Sequence, residues 1–162
     1  MQGIYLLLGT NLGNRESHLA DAAKRLNDRG IQVLRSSSIY ETAAWGIEDQ
    51  PGFLNQVLEV VTVLDPAELL KAILEIEQDM GRIRVRKWGE RLIDIDILYY
   101  HDQVIDTEPL KVPHPGIPNR RFTLVPLVEL DAKGLHPILR KSQELLLEEC
   151  TDPLEVKVFA EA

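Results

Sequence analysis

Apolar residues recur along the chain in two spacings, which predict strands and helices in a regular order. Runs rich in β-branched and aliphatic residues predict strands at 3–8, 31–42 and 55–64. Apolar residues three and four positions apart predict helices at 15–29 and 66–81. Glycines follow both helical segments, as is typical of helix C-termini.

The second helix has the clearest start in the sequence. Asp65 is placed as its N-cap, Pro66 follows at the first helical position, and Glu68 comes three residues after the cap. The helix is predicted to end at Gly81. Its apolar stripe consists of Leu69, Ile73, Ile76 and Met80.

Residues 91–100 (RLIDIDILYY) predict a strand with an unusual polar face. Side chains alternate between the faces of a strand, so one face should carry Ile93, Ile95, Ile97 and Tyr99, and the other Leu92, Asp94, Asp96 and Leu98. The two aspartate Cα atoms would lie roughly 6.6 Å apart. At roughly 6 Å and an effective dielectric constant near 20, like charges repel by about 2 to 3 kcal/mol. Either this face is simply solvated, as on many antiparallel sheets, or the carboxylates share a cation.

Together these segments predict an α+β fold. The order strand, helix, strand, strand, helix, strand is that of a ferredoxin-like sandwich, with a βαββαβ antiparallel sheet and both helices on one face, leaving the other face available. After residue 100 we expect a small hairpin, a proline-rich loop at 113–122 and two short helices, at 123–131 and 142–150. No linker or repeat divides the chain, so residues 1–162 are expected to form one domain.

Composition excludes several classes of protein. The net charge of −8 argues against a general nucleic-acid binder or a binder of acidic membranes. No apolar run approaches the ~20 residues of a membrane span, and the opening MQGIYLLLG has no basic flank, so a cytoplasmic protein is expected. Cys150 is the only cysteine, which leaves no intramolecular disulfide and no cysteine-based zinc cluster.

Positive charge is concentrated directly before the paired aspartates. A solvated loop is the ordinary interpretation of such a run, but in an acidic chain its position also suits a polyanion of limited size. The cations are Arg82, Arg84, Arg86, Lys87 and Arg91.

A third segment adds His114, Arg120 and Arg121 in the proline-rich loop. Carboxylates that hold Mg²⁺, with cations that neutralise phosphate charge, are the components of a magnesium-nucleotide site. The chain has no GxxxxGK[ST] motif, so a phosphoryl-transfer site would be built in another way.

Several spaced motifs resemble those of the 6-hydroxymethyl-7,8-dihydropterin pyrophosphokinases of folate biosynthesis. The most specific is KWGERLIDIDIL, in which a basic residue, glycine and arginine precede the paired aspartates. The resemblance covers roughly residues 1–130, and its other motifs, in chain order, are GTNLGN, YETAAWG, FLNQV, EQDMGRIR, VPHP and NRRF.

The resemblance implies transfer of pyrophosphate from ATP to the pterin hydroxymethyl group, with release of AMP. It implies that Asp94 and Asp96 bind two Mg²⁺ ions and that Arg82 and Arg91 join them as catalytic residues. The residues implied to bind ATP are Glu77, Arg82, Trp88, Arg91, Ile97, Lys111, His114 and Arg120. Among these, Glu77 is expected to order the phosphate site or the adjoining loop.

For the pterin, the resemblance implies that Phe53 and Phe122 sandwich the ring while Asn55 reads its amide edge. Thr42, Ala43 and Trp45 would complete the pocket. The chain departs from the family pattern at three positions: Phe53 stands where tyrosine is frequent, Thr10 replaces a common serine, and Arg121 replaces a small residue.

Two alternatives belong to other functional classes. A ferredoxin-like module could bind RNA on its open sheet face, but two aspartates there would repel phosphates. A metal-dependent nucleotidyltransferase could use the same aspartates with another acceptor. We expect a monomer whose partners are ATP and 6-hydroxymethyl-7,8-dihydropterin, without nucleic acid or membrane.

Overall fold

The computed structural model describes residues 1–43, 52–81 and 92–162. Its strands are β1 (Ile4–Thr10), β2 (Gln32–Ser36), β3 (Ile39–Thr42), β4 (Phe53–Val61), β5 (Asp94–Tyr100), β6 (Ile105–Asp106), β7 (Lys111–Val112) and β8 (Val156–Ala160). Its helices are α1 (Arg15–Asp28), α2 (Pro66–Gly81), α3 (Arg121–Asp131) and α4 (Gln143–Glu149). The predicted α+β class and order of elements are confirmed.

The main sheet is antiparallel throughout. Its strand order is β5-β1-β4-β3-β8, with β2 also paired to β4, while β6 and β7 form a separate hairpin. All seven residues of β1 are buried, because this strand lies inside the sheet with side chains packed on both faces. The arrangement of β5, β1, β4 and β3 is the one that the ferredoxin-like prediction requires.

Helices α1 and α2 cover one sheet face, as predicted. Leu19 and Leu26 of α1 pack with Ile73 and Ile76 of α2 against the sheet. The start of α2 is the predicted capping box: the Glu68 N–H donates to Asp65 Oδ1 at 2.8 Å, and the Asp65 N–H donates to Glu68 Oε1 at 3.0 Å.

The opposite face is only partly open, which corrects the expectation that it would be left available. Leu124 and Leu127 of α3 and Leu146 of α4 pack there against Tyr5, Leu7 and other sheet residues. The uncovered part lies beside Asn55 and Asp96, which line the cavity described below.

Strand β5 contains a bulge that the alternation pattern did not predict. Tyr5 pairs with Tyr99 and Leu6 pairs with Ile97, which leaves Leu98 as an extra residue. Leu98 and Tyr99 therefore both pack against α3 and α4, and the assignment of Tyr99 to the isoleucine face was wrong. The bulge follows the aspartates, so it leaves their shared face unchanged.

The predicted strand at 31–42 is divided into β2 and β3 by Ser37 and Ser38. The Ser37 N–H donates to the Val57 carbonyl at 2.8 Å, and the Val57 N–H donates to Ser37 Oγ at 2.9 Å. A side-chain hydroxyl thus replaces a backbone carbonyl in the ladder. Strand β8 was also not predicted, and it extends the sheet beside β3.

Within the described ranges, the structure has no helix with the length and apolar character needed to cross a bilayer.

His136 is a buried histidine between α3 and α4. It is 5% exposed, its ring packs edge-on against Tyr99, and its Nδ1 accepts the N–H groups of Ile138 and Leu139, each at 3.1 Å. Burial lowers the pKa of His136, and the positive N-terminal amine lowers it further. The folded state therefore favours the neutral ring.

Because the pKa of His136 is lower in the folded state, its contribution to stability is present above the ordinary pKa near 6.5 and is lost as the pH falls through the folded-state value. We expect the urea midpoint of the wild-type chain to fall between pH 7.5 and pH 5. In His136→Asn, whose amide oxygen can replace Nδ1 as acceptor, the fall should be smaller. Equal pH dependence of the two proteins would contradict this prediction.

Candidate active site

A cavity of about 280 Å³ lies at the uncovered part of the sheet. Eight residues predicted from the sequence line it: Thr42, Ala43, Phe53, Asn55, Asp94, Asp96, Arg120 and Phe122. They come from β3, β4, β5, α3 and the residues beside these elements, so the fold brings together positions that are up to 80 residues apart in the chain. Leu7, Gly9 and Leu154 also line the cavity and were not predicted.

Asp94 and Asp96 lie at the start of β5, where strand pairing fixes their direction. Asp94 pairs with Gly9 and Asp96 with Leu7, while the buried Ile95 between them points into the helix-covered core. Both carboxylates consequently face the cavity.

This pair suits magnesium. Mg²⁺ is usually held by one or two carboxylates together with phosphate oxygens and water, rather than by a complete protein cage. In keeping with this, the described residues contain no cluster of three or more histidine, cysteine, aspartate or glutamate side chains that could hold a metal.

Glu77 supports the aspartate-bearing strand from α2. Its Oε2 accepts the Ile95 backbone N–H at 2.8 Å. Strand β5 is at the edge of the main sheet, so β1 supplies hydrogen bonds on one side only. Glu77 therefore satisfies a backbone donor between the two aspartates, although it does not itself line the cavity.

The charges of Asp96 and Arg120 both act on His114. Burial lowers the pKa of His114; the Asp96 charge opposes this shift and the Arg120 charge adds to it. The Gly116 N–H donates to His114 Nδ1 at 2.9 Å, so the proton of the neutral ring is on Nε2. His114 is thus arranged as a hydrogen-bond donor rather than as a base.

Arg120 connects the cationic part of the site to its aromatic part. Its guanidinium carbon lies 5.8 Å from the centre of the Phe122 ring. Gly116 leaves the room that this side chain needs, because a Cβ there would lie 2.8 Å from Arg120 Cζ. The charged and aromatic groups form one continuous surface of the cavity.

The aromatic part contains an amide and a hydroxyl. Asn55 is 5% exposed, and its Nδ2 donates to the Leu8 carbonyl at 3.3 Å, a long hydrogen bond. Within the described part of the chain, the buried Thr42 Oγ1 has no hydrogen-bond partner. Because an unsatisfied buried polar group is costly, this part of the cavity is suited to a polar ligand.

Gly9 is a site residue that the sequence analysis missed. It pairs with Asn55 across the sheet, and a Cβ at Gly9 would lie 2.7 Å from Asn55 Nδ2. Gly9 is the first residue of the motif GTNLGN, but the strand predicted at 3–8 ends one residue before it, whereas the structure places Gly9 in β1.

Of the predicted ATP contacts within the described residues, Arg120 lines the cavity, whereas Glu77, Ile97, Lys111 and His114 do not. Ile97 is buried on the helix-covered face, because strand alternation directs it away from the side of Asp96. Lys111 lies in β7, where its Nζ donates to Asp106 Oδ1 at 2.6 Å. Both assignments stay predictions.

Four predicted site residues lie outside the described residues: Trp45, Arg82, Trp88 and Arg91. Their roles also stay predictions.

Comparison with known proteins gives a consistent match. Residues 5–132 match the family described as 7,8-dihydro-6-hydroxymethylpterin-pyrophosphokinase (HPPK). A 2-amino-4-hydroxy-6-hydroxymethyldihydropteridine pyrophosphokinase of Aquifex aeolicus is 46% identical over 141 residues, which cover 87% of this chain and 88% of that protein. The enzyme of the same name from Bacillus subtilis is 45% identical over 127 residues, covering 78% of this chain and 76% of that protein.

Solved structures share the fold. A crystal structure of wild-type Plasmodium falciparum HPPK-DHPS superposes with a TM-score of 0.70 over 92% of this chain, at 18% sequence identity. The present chain spans 41% of that longer chain. At this level of identity the likeness supports the ferredoxin-like fold alone.

We predict that Gly9→Ala weakens pterin binding by displacing the Asn55 amide. The loss should be about 10-fold or more, because a buried polar contact is worth about 1–3 kcal/mol. Isothermal titration with 6-hydroxymethylpterin measures it. In an Asn55→Ala background the added effect of Gly9→Ala should nearly vanish. Additive losses in the double variant would show that Gly9 does not act through Asn55.

We predict that Glu77→Ala weakens magnesium-dependent binding of a non-hydrolysable ATP analogue by about 10- to 100-fold, as is common when a residue that supports metal ligands is removed. Glu77→Gln is the matched control, because its amide oxygen can still accept the Ile95 N–H. A loss of stability in Glu77→Ala with an unchanged magnesium dependence would assign Glu77 a purely structural role.

Proposed function

Because the chain belongs to the 7,8-dihydro-6-hydroxymethylpterin-pyrophosphokinase family, we propose that it transfers pyrophosphate from ATP to the hydroxymethyl group of 6-hydroxymethyl-7,8-dihydropterin, a step of tetrahydrofolate biosynthesis. The main support for this reaction is the composition of the cavity. A single cavity is lined by two carboxylates, an arginine, two phenylalanine rings and a buried amide.

The proposed reaction is a direct displacement. The pterin hydroxymethyl oxygen attacks the β-phosphorus of ATP, and the bond between that phosphorus and the oxygen bridging to the α-phosphate breaks. AMP leaves, the β- and γ-phosphates stay on the pterin, and the hydroxyl proton passes to water. Positioning and charge neutralisation are the main requirements of such a transfer.

Asp94 and Asp96 are the proposed ligands of two magnesium ions. When bound, magnesium neutralises phosphate charge and makes the attacking hydroxyl more acidic. The two carboxylates are fixed by the pairing of β5 with β1, so they need little rearrangement to bind.

The cationic side chains act on the nucleotide. Arg120 faces the cavity and can donate to phosphate oxygens, and the Nε2–H of His114 is a second donor. We propose that Arg82, Trp88 and Arg91 contribute to the same site, on the family resemblance alone. Ile97 and Lys111 are proposed to contact ATP on the same basis.

The pterin is proposed to lie between Phe53 and Phe122, which belong to different elements and both line the cavity. The amide of Asn55 and the hydroxyl of Thr42 would hydrogen-bond its polar edge. An acceptor without that edge would leave the Thr42 hydroxyl unpaired and the Asn55 amide with only its long hydrogen bond to Leu8, which gives selectivity for pterins over other flat rings. Ala43 and Trp45 are proposed to complete this pocket.

We propose that residues 1–162 form one domain that acts as a monomer. We place it in the cytoplasm, where ATP is available and where a free thiol such as that of Cys150 stays reduced.

The direct test is an AMP-release assay with ATP, Mg²⁺ and 6-hydroxymethyl-7,8-dihydropterin. We expect AMP and the pterin diphosphate in equal amounts, and no AMP without the pterin. AMP formed without consumption of the pterin would favour a different acceptor. Release of ADP instead of AMP would contradict pyrophosphate transfer.

We predict that Asp96→Ala lowers turnover at least about 100-fold, because it removes stabilisation of charge in the transition state without removing core volume. Its melting temperature should remain close to that of the wild type. Asp28→Ala, which removes an exposed carboxylate from α1, is the control and should leave turnover unchanged. Wild-type activity of Asp96→Ala would remove Asp96 from the site.

A further inference from the structure

We propose that the C-terminal segment, residues 150–160, completes the pterin pocket and that Leu154 is a specificity-determining residue in its wall. This inference rests on the proposed function. The segment lies beyond residues 5–132, which match the family.

Leu154 lies between the end of α4 and the start of β8. It is partly buried, and it lines the same cavity as Phe53 and Phe122. Its branched aliphatic side chain therefore forms part of the cavity wall, together with Leu7, Ala43 and the two phenylalanine rings.

Asp152 fixes the position of Leu154 relative to Phe122. Its Oδ2 accepts the Arg121 backbone N–H at 3.0 Å, at the start of α3, and its Oδ1 accepts the Leu154 N–H at 3.0 Å. One carboxylate thus links the backbone of Leu154 to the helical turn that carries Phe122. A negative charge at this helix N-terminus is also favourable.

Arg121 strengthens this link from the other side. Its Nε donates to the Asp152 carbonyl at 3.1 Å, and its Nη2 donates to the Cys150 carbonyl at 3.1 Å. This gives a structural account of the arginine that replaces a small residue of the family pattern. Here it holds the C-terminal segment rather than a phosphate.

Strand β8 anchors the other end of the segment. It pairs with β3, so that Val156 lies opposite Thr42, another residue of the cavity. The Phe159 ring lies 5.3 Å from the guanidinium carbon of Arg15, which also contacts Glu41 at 2.5 Å and the Gly52 carbonyl at 2.7 Å. With both ends held, Leu154 has a fixed place in the wall.

An aliphatic wall limits the size of the ligand that can bind beside it. We infer that Leu154 limits the cavity to a flat bicyclic acceptor and packs against it. Truncation to alanine should weaken binding of 6-hydroxymethylpterin about 10-fold, the usual effect of removing one apolar contact from a pocket. It should weaken the discrimination against pterins that carry an additional ring methyl group.

Calorimetry on the full chain tests this inference. With magnesium and a non-hydrolysable ATP analogue present, Leu154→Ala should raise the Kd of 6-hydroxymethylpterin about 10-fold and leave the Kd of the analogue unchanged. The Leu154→Met variant should bind 6-hydroxymethylpterin with a Kd close to the wild-type value. Val158→Ala removes a 56% exposed side chain from the same segment and should have no effect.

Asp152→Ala provides a second test, because it releases the link without altering the wall residue itself. It should weaken pterin binding in the same direction as Leu154→Ala. A wild-type pterin Kd in Leu154→Ala would overturn the inference, whatever the effect of Asp152→Ala. Equal weakening of pterin and nucleotide binding in Leu154→Ala, or the same loss in Val158→Ala, would also overturn it.

Binding measurements on the wild-type chain distinguish failure of this inference from failure of the proposed function. If it binds the pterin and Leu154→Ala binds equally well, this inference fails and the proposed function stands. If the wild-type chain binds the nucleotide analogue but not the pterin, the proposed acceptor and this inference both fail.

Discussion

The pairing of β5 with β1 is the constraint on which the site depends. It fixes the side chains of Asp94 and Asp96 on one face and directs Ile95 into the core on the other. Two neighbouring carboxylates on one strand face repel each other, whereas burial of the neighbouring isoleucines favours the arrangement. Glu77 accepts the Ile95 backbone N–H of the same strand. The stability of the core thus helps to fix the positions of the two aspartates.

The second sheet face consists of a part that is covered by helices and a part that forms the cavity. Helices α3 and α4 cover one part with apolar residues, and the remainder forms the cavity. Helix α3 serves both parts, since Leu124 and Leu127 pack in the core while Phe122, at its start, lines the cavity. The position of one ring in the cavity wall therefore depends on the same packing that stabilises the fold.

Much of the fold was predictable, because its signals are local. The capping box at Asp65 and the isoleucine–aspartate alternation specify their elements without help from distant residues. The features that were missed depend on tertiary partners. The bulge at Leu98 is visible only through pairing with β1, and the role of Gly9 only through the position of Asn55. Leu154 could not be assigned to the cavity from the sequence. Strand β8 is short and contains both apolar and polar residues, and its place beside β3 depends on contacts between residues far apart in the chain.

The contacts of Arg15 have a consequence for how this fold tolerates change. By holding Glu41 and the Gly52 carbonyl, one side chain keeps the chain positions before and after residues 44–51 close together. A Cβ at Gly52 would lie 2.5 Å from the Thr42 carbonyl oxygen, which shows how near these positions are. With its ends joined in this way, a connection can double in length at a cost of only about 0.6 kcal/mol of closure entropy. Insertions between these two positions should therefore be compatible with an unchanged sheet.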